Sequence, residues 1–181
     1  MKDLQYYTEC FSRLNTAIRQ GKKAPHKALL LISIIDLIGK GIIKDNHIVL
    51  DDNLIRTFNA TKDRYYPTSK LFKPSIANPF FHLGHEPFYR LAANTAKTTT
   101  GVSEPVMPYG KEGASCSIKN LRKQFSHAEI DEELFNLLKN KDIRAKLTTH
   151  LITNYLCDRM DAPINFSSIP ILLSAVLAMA G

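Results

Sequence analysis

A chain of 181 residues with 44% hydrophobic and 23% charged side chains suits one soluble globular domain, or one domain with a short appendage. No apolar run follows Met1-Lys2-Asp3-Leu4, and the longest apolar stretch, Ile169 to Ala180, contains Pro170 and is too short to cross a bilayer, so a cytoplasmic protein is expected. Cys10, Cys116 and Cys157 are scattered without CxxC spacing, which argues against a disulfide or zinc framework, while a net charge of +7 points toward a polyanionic partner.

In chain order, Leu4, Tyr7, Phe11, Leu14 and Ile18 fall at helical spacing and predict a helix over 4–20 that Gly21 ends. A second helix is expected from Pro25, where proline suits the first helical position, through a run apolar nearly all round to Gly39, making it the central buried helix. His47 to Leu50 reads as a short strand, and Asp51-Asp52-Asn53 as the cap of a third helix bearing Leu54, Ile55 and Phe58. Pro79-Phe80-Phe81-His82-Leu83 and Pro87-Phe88-Tyr89-Arg90-Leu91 read as two strands of a hairpin turning at Gly84-His85-Glu86. Residues 92–117 read as a long polar loop, Ile118 to Phe125 as a short basic helix, and Ser126-His127-Ala128-Glu129 as a capping box before Leu134, Leu137 and Leu138. A last helix is expected from Asp142 to Tyr155. The sum is a mainly α protein with a small β-hairpin, an α+β class, in the order of a winged-helix-like core with additional helices.

Charge is uneven along this plan. Through Ile55, 8 Lys/Arg face 6 Asp/Glu; from Arg56 to Phe125, 11 face 4; thereafter 5 face 7. A basic middle third is what a phosphate-binding face requires, because each cation near a phosphate releases counterions. Catalytic signatures are missing: the chain has no GxSxG, HExxH, GxGxxG or phosphate-loop motif, so a non-enzyme with no cofactor and no metal is expected. His82 and His85 have a metal-like interval but lack a third recognisable ligand.

Two segments carry binding chemistry. Ala24-Pro25-His26-Lys27 opens a helix whose first amides are unpaired and positive, so His26 and Lys27 are candidates to hold a phosphate. The stretch from Lys62 to Leu83 interleaves Arg64, Lys70 and Lys73 with Tyr66, Pro79 and Phe80, a mixture that can grip a nucleic-acid backbone by charge and by flat apolar contact.

Together, APHKALLLISIIDLI, PFFHL with PFYRL, and SHAEIDEELFNLLKN before TNYL resemble the DNA sulfur-binding domain of McrA-type, phosphorothioate-dependent restriction endonucleases, across roughly residues 20 to 156. The resemblance implies a reader of double-stranded DNA in which sulfur replaces one non-bridging phosphate oxygen, usually joined to an HNH nuclease domain in a longer parent protein. It implies a sulfur cavity with Pro79 as main contact, Asn78 and Phe80 as walls, and His26 and Lys27 on the remaining oxygens. Arg64, Lys70, Lys73 and Arg90 are the candidates for neighbouring phosphates or base edges. Asn78 stands where the family has an aromatic residue, so Tyr66 is the alternative aromatic edge, and Ala28 and Phe81 replace a proline and a tryptophan. The domain is expected over 1–160, with 161–181 a tail of unknown role. Partners compatible with this reading are modified duplex DNA and a second copy of the chain, with no membrane. A winged-helix reader of unmodified or base-modified DNA stays open, as does a protein-interaction domain using the apolar tail.

Overall fold

The computed structural model describes residues 2–67, 71–94 and 116–156. The expected loop over 92–117, Lys70 and the 161–181 tail therefore fall largely or wholly outside the described residues.

Helix α1 spans Leu4–Ser12, capped by the Asp3 carboxylate accepting from the Tyr6 amide. It is shorter than its apolar spacing predicts. Leu14 is buried beyond its end, but Ile18 is 66% exposed and lies in a strand, so the fifth position in the series belongs to a different element. That strand, β1 (Ile18–Arg19), forms a small antiparallel hairpin with β2 (Lys22–Lys23). Its two-residue turn, Gln20-Gly21, has φ of 50° and 72°. Positive φ at both central positions is the turn whose twist matches a hairpin, and glycine takes one of them without strain.

Helix α2 (His26–Gly39) follows with Pro25 at its cap, and eleven of its fourteen residues are buried. It is the core of the molecule, packed against α3 (Asp52–Tyr65), α4 (Ala77–His82), α6 (Glu132–Leu138) and α7 (Lys141–Tyr155). An apolar helix surrounded on all sides has no solvent stripe to keep polar. Its one central hydroxyl, Ser33 Oγ, donates 2.7 Å to the Leu29 carbonyl and lies 3.1 Å from Thr61 Oγ1 on α3. Asp51 caps α3 by accepting from the Leu54 amide, as its sequence predicts.

The fold is α+β: mostly helix, with small antiparallel sheets. The main sheet has the order β3-β5-β4, from β3 (His47–Ile48), β5 (Phe125–Ile130) and β4 (Tyr89–Ala93). Two expectations are corrected here. The hairpin across 79–91 does not form, because Ala77 to His82 is helical and a 3-10 turn covers Leu83–His85. Buried Ala77, Phe80 and Phe81 have i, i+3, i+4 spacing, and Pro79 is in the first turn, where its missing N–H has no helical partner to lose. The second segment does give a strand, β4, but its partner is β5, with Tyr89 opposite Ile130 and Leu91 opposite Ala128. The capping box over 126–129 is likewise β5, and α6 starts later, after Asp131. Helix α5 (Ile118–Gln124) runs directly into β5.

Candidate nucleic-acid interface

The start of α2 gathers several candidate residues, and helix geometry explains how. The Ser33–Thr61 contact fixes α3 against the middle of α2, and α3 runs back toward the first turn of α2, carrying Arg64 and the C-cap residue Tyr66 in that direction. Arg64 is exposed and Tyr66 is buried. The β1–β2 hairpin feeds straight into Pro25 and delivers Arg19. The His26 ring meets the edge of Phe72 at 5.9 Å and 88°, while the Arg19 guanidinium lies 5.7 Å from the same Phe72 ring. Guanidinium over an aromatic face is a favourable electrostatic contact. Lys23 and Lys73 are exposed nearby in sequence, and Lys22 is half-buried.

His26 has an unusual state. Its Nε2 is buried without a hydrogen-bond partner, and burial first, then the neighbouring Arg19 charge, holds its pKa below the ordinary imidazole value. The ring is therefore neutral at pH 7. Burial first, then the His85 and Lys27 charges, holds the pKa of His82 at the end of α4 below the ordinary imidazole value, and α4 packs against α2. The His82 and His85 rings lie 6.0 Å apart beside Phe81.

Lys27 departs from its expected role. Its ammonium lies 2.5 Å from Glu86 Oε1, and each side chain is only 7% exposed. The same Glu86 oxygen accepts from the Asn15 amide at 3.0 Å. Lys27 is thus the cation of a buried ion pair that fastens α2 to the turn before β4, and the expected bond to phosphate oxygens would require that pair to open. Pro79 and Phe80 are buried on α4, whereas Asn78 is exposed. Asn78 and Pro79 therefore belong to a helix and not to a loop entering a hairpin.

Arg90 is not brought to this cluster. It is exposed on the outer face of β4, opposite Glu129, with its guanidinium 3.8 Å from that carboxylate. Nor do two surface clefts coincide with the candidate site. One of about 500 Å³ is lined by Val49, Phe80, Leu121, Arg122 and Phe125 among others, and one of about 480 Å³ by Ile42, Ile43, Asp45, His47 and His127 among others. Phe80 is the one candidate residue that lines either.

No family model matches the chain, and no curated protein matches it as a relative. No helix among the described residues is long and apolar enough to cross a membrane.

Sequence reasoning missed Arg19, Phe72 and Glu86. Arg19 was hidden by assigning it to α1, although Gln20-Gly21 is a turn signal. Glu86 has no local signal at all, since its partner is 59 residues away.

Proposed function

We propose that this chain is a DNA-binding module that reads a phosphorothioate linkage in a cytoplasmic restriction system, without catalysing a reaction itself. The observation that carries the reading is the neutral, unpartnered His26 imidazole packed on Phe72 and bordered by Arg19. Sulfur on phosphorus is larger, softer and a poorer hydrogen-bond acceptor than oxygen. Ring edges desolvate it at little cost, while an ordinary phosphate oxygen set against them would lose more water bonds than the nearby donors return. Pro79 and Phe80 are the apolar candidates on α4, and because both are buried their contact with sulfur would require α4 to shift on binding. Arg19, Arg64 and Lys73 are the cations available to the flanking phosphates, and Lys27 acts by positioning α2 through Glu86.

The element order α2, β3, α3, α4, β4, α5, β5 with strand order β3-β5-β4 is compatible with a winged-helix core that carries an extra helix between its last two strands, in which α4 would be the helix offered to DNA. One observation favours the second reading, recognition of unmodified or base-modified DNA. Asn78 is exposed on α4 while its neighbour Pro79 is buried, and an asparagine amide can bond an adenine edge.

Anisotropy titrations of matched phosphorothioate and ordinary duplexes across a salt series test the proposal. Tighter binding of the sulfur-bearing duplex, with affinity falling as salt rises, supports it. Equal affinity for both duplexes supports the second reading, and no binding to either removes both.

A further inference from the structure

The outer face of the main sheet holds a cluster that the sequence search, confined to His82 and His85, did not find. In the β3–β5 register His47 sits opposite Glu129, and His127 lies two residues before Glu129 on the same face of β5. The three side chains bring one ligating atom each to within 4.8 Å of one another. His127 Nε2 is 3.3 Å and His47 Nε2 3.8 Å from Glu129 Oε1, and the two imidazoles meet at 4.5 Å between centroids.

The outer contacts orient these atoms. His47 Nδ1 lies 3.3 Å from the Asp45 carboxylate, which can only accept; with the proton on Nδ1, the Nε2 lone pair faces Glu129. The same carboxylate accepts from the His47 amide at 2.9 Å, which holds it in place. His127 Nδ1 lies 2.9 Å from Ser126 Oγ, and that hydroxyl is 3.3 Å from the Ala92 carbonyl. With no cation bound, His127 Nε2 donates to Glu129 Oε1 at 3.3 Å, so a metal ion would take the place of that proton while Ser126 Oγ holds Nδ1 from behind. The other oxygen of Glu129 faces Arg90. Two imidazole nitrogens and a carboxylate oxygen thus converge within 4.8 Å, a donor set that a cation can take over by displacing the proton between His127 and Glu129. Carboxylate and hydroxyl partners behind ligating histidines are the usual outer support of a metal site.

We propose that His47, His127 and Glu129 bind one divalent transition cation of the zinc class, with solvent in the fourth position. Tetrahedral zinc bonds of about 2.0–2.1 Å place ligand atoms roughly 3.3 Å apart, so rotations closing the cluster by about 1.5 Å or less complete the site. The cation would pin two-residue β3 to β5 at the sheet edge. This site is independent of the DNA-reading proposal.

Calorimetric titration of the full chain with Zn²⁺, and the visible absorption of Co²⁺ as a second probe, test it. The expected result is one equivalent per chain with tetrahedral Co²⁺ absorption, lost in His47→Ala and in His127→Ala. Asp45→Asn should weaken binding about 10- to 100-fold while keeping the stoichiometry. Absence of saturable binding, or binding undiminished in the His47→Ala/His127→Ala variant, overturns the proposal. Circular dichroism of each variant distinguishes loss of the site from loss of the fold.

Discussion

Replacing Glu86 by leucine removes the carboxylate that faces Lys27 and leaves an ammonium 93% buried without its counter-ion. It also strips the Asn15 amide of its acceptor. Breaking one side of a buried pair costs about 3–5 kcal/mol, since the stranded charge keeps its full desolvation penalty. For a chain of this size each kcal/mol lowers the melting temperature by about 2–4 °C, so the expected fall is roughly 6–20 °C. Lys27→Met should cost a similar amount, because it strands Glu86 instead. Replacing both, Lys27→Met with Glu86→Leu, should recover the part of the loss due to the stranded charge, leaving the cost of the Asn15 amide without its acceptor. Urea and thermal melts of the two single variants and the double variant measure the coupling. A loss below about 1 kcal/mol in Glu86→Leu would refute the buried-pair reasoning. The double variant also tests DNA contact: if it folds yet loses about one unit of salt slope, Lys27 touches phosphate after all.

Three further outcomes are expected. Folding depresses the pKa of His26 below its ordinary value of 6.5, so the unfolded chain binds the extra proton first; stability should be full above about pH 6.5 and fall as pH drops toward the folded value. Urea midpoints from about pH 7.5 down to about pH 5 should show that decline, and His26→Gln should flatten part of it; an unchanged profile removes the buried neutral imidazole. Pro79→Ala keeps the α4 backbone while deleting ring carbons, so it should narrow the affinity ratio between sulfur-bearing and ordinary duplexes by several-fold, on the order of 1 kcal/mol; an intact ratio takes Pro79 out of the sulfur contact. Asp51→Ala removes the α3 cap and should cost about 1 kcal/mol in a chemical melt, with little change in Zn²⁺ or DNA binding.

The helices that were legible in the sequence are those whose own spacing decides them. Helix α2 follows from its continuous apolar run, and α3 follows from Asp51 with Leu54 and Phe58 at i, i+4. What escaped was decided elsewhere in the chain. Phe80 and Phe81 satisfy a strand pattern and a helix pattern equally over so short a run, and packing against α2 chose the helix. Ser126-His127-Ala128-Glu129 looks like a helix cap because its polar residues mask the alternation that buries Ala128 and Ile130. Its strand identity comes from β3 and β4, both distant in sequence. The same holds for the candidate sites. His26 was visible from its position at a helix start, but its Phe72 and Arg19 neighbours, and the Lys27–Glu86 pair, exist only once the chain has closed on itself.

Tyr155, near the end of α7, donates its hydroxyl to the Phe11 carbonyl at 2.8 Å, accepts from the Leu14 amide at 3.1 Å, and lies beneath the Lys23 ammonium. A single phenol therefore clips together the exit from α1 and the hairpin that launches α2. Anyone trimming this protein for crystallisation or fusion should keep the chain intact through Leu156, because a cut one helical turn earlier would unfasten the far end of the molecule.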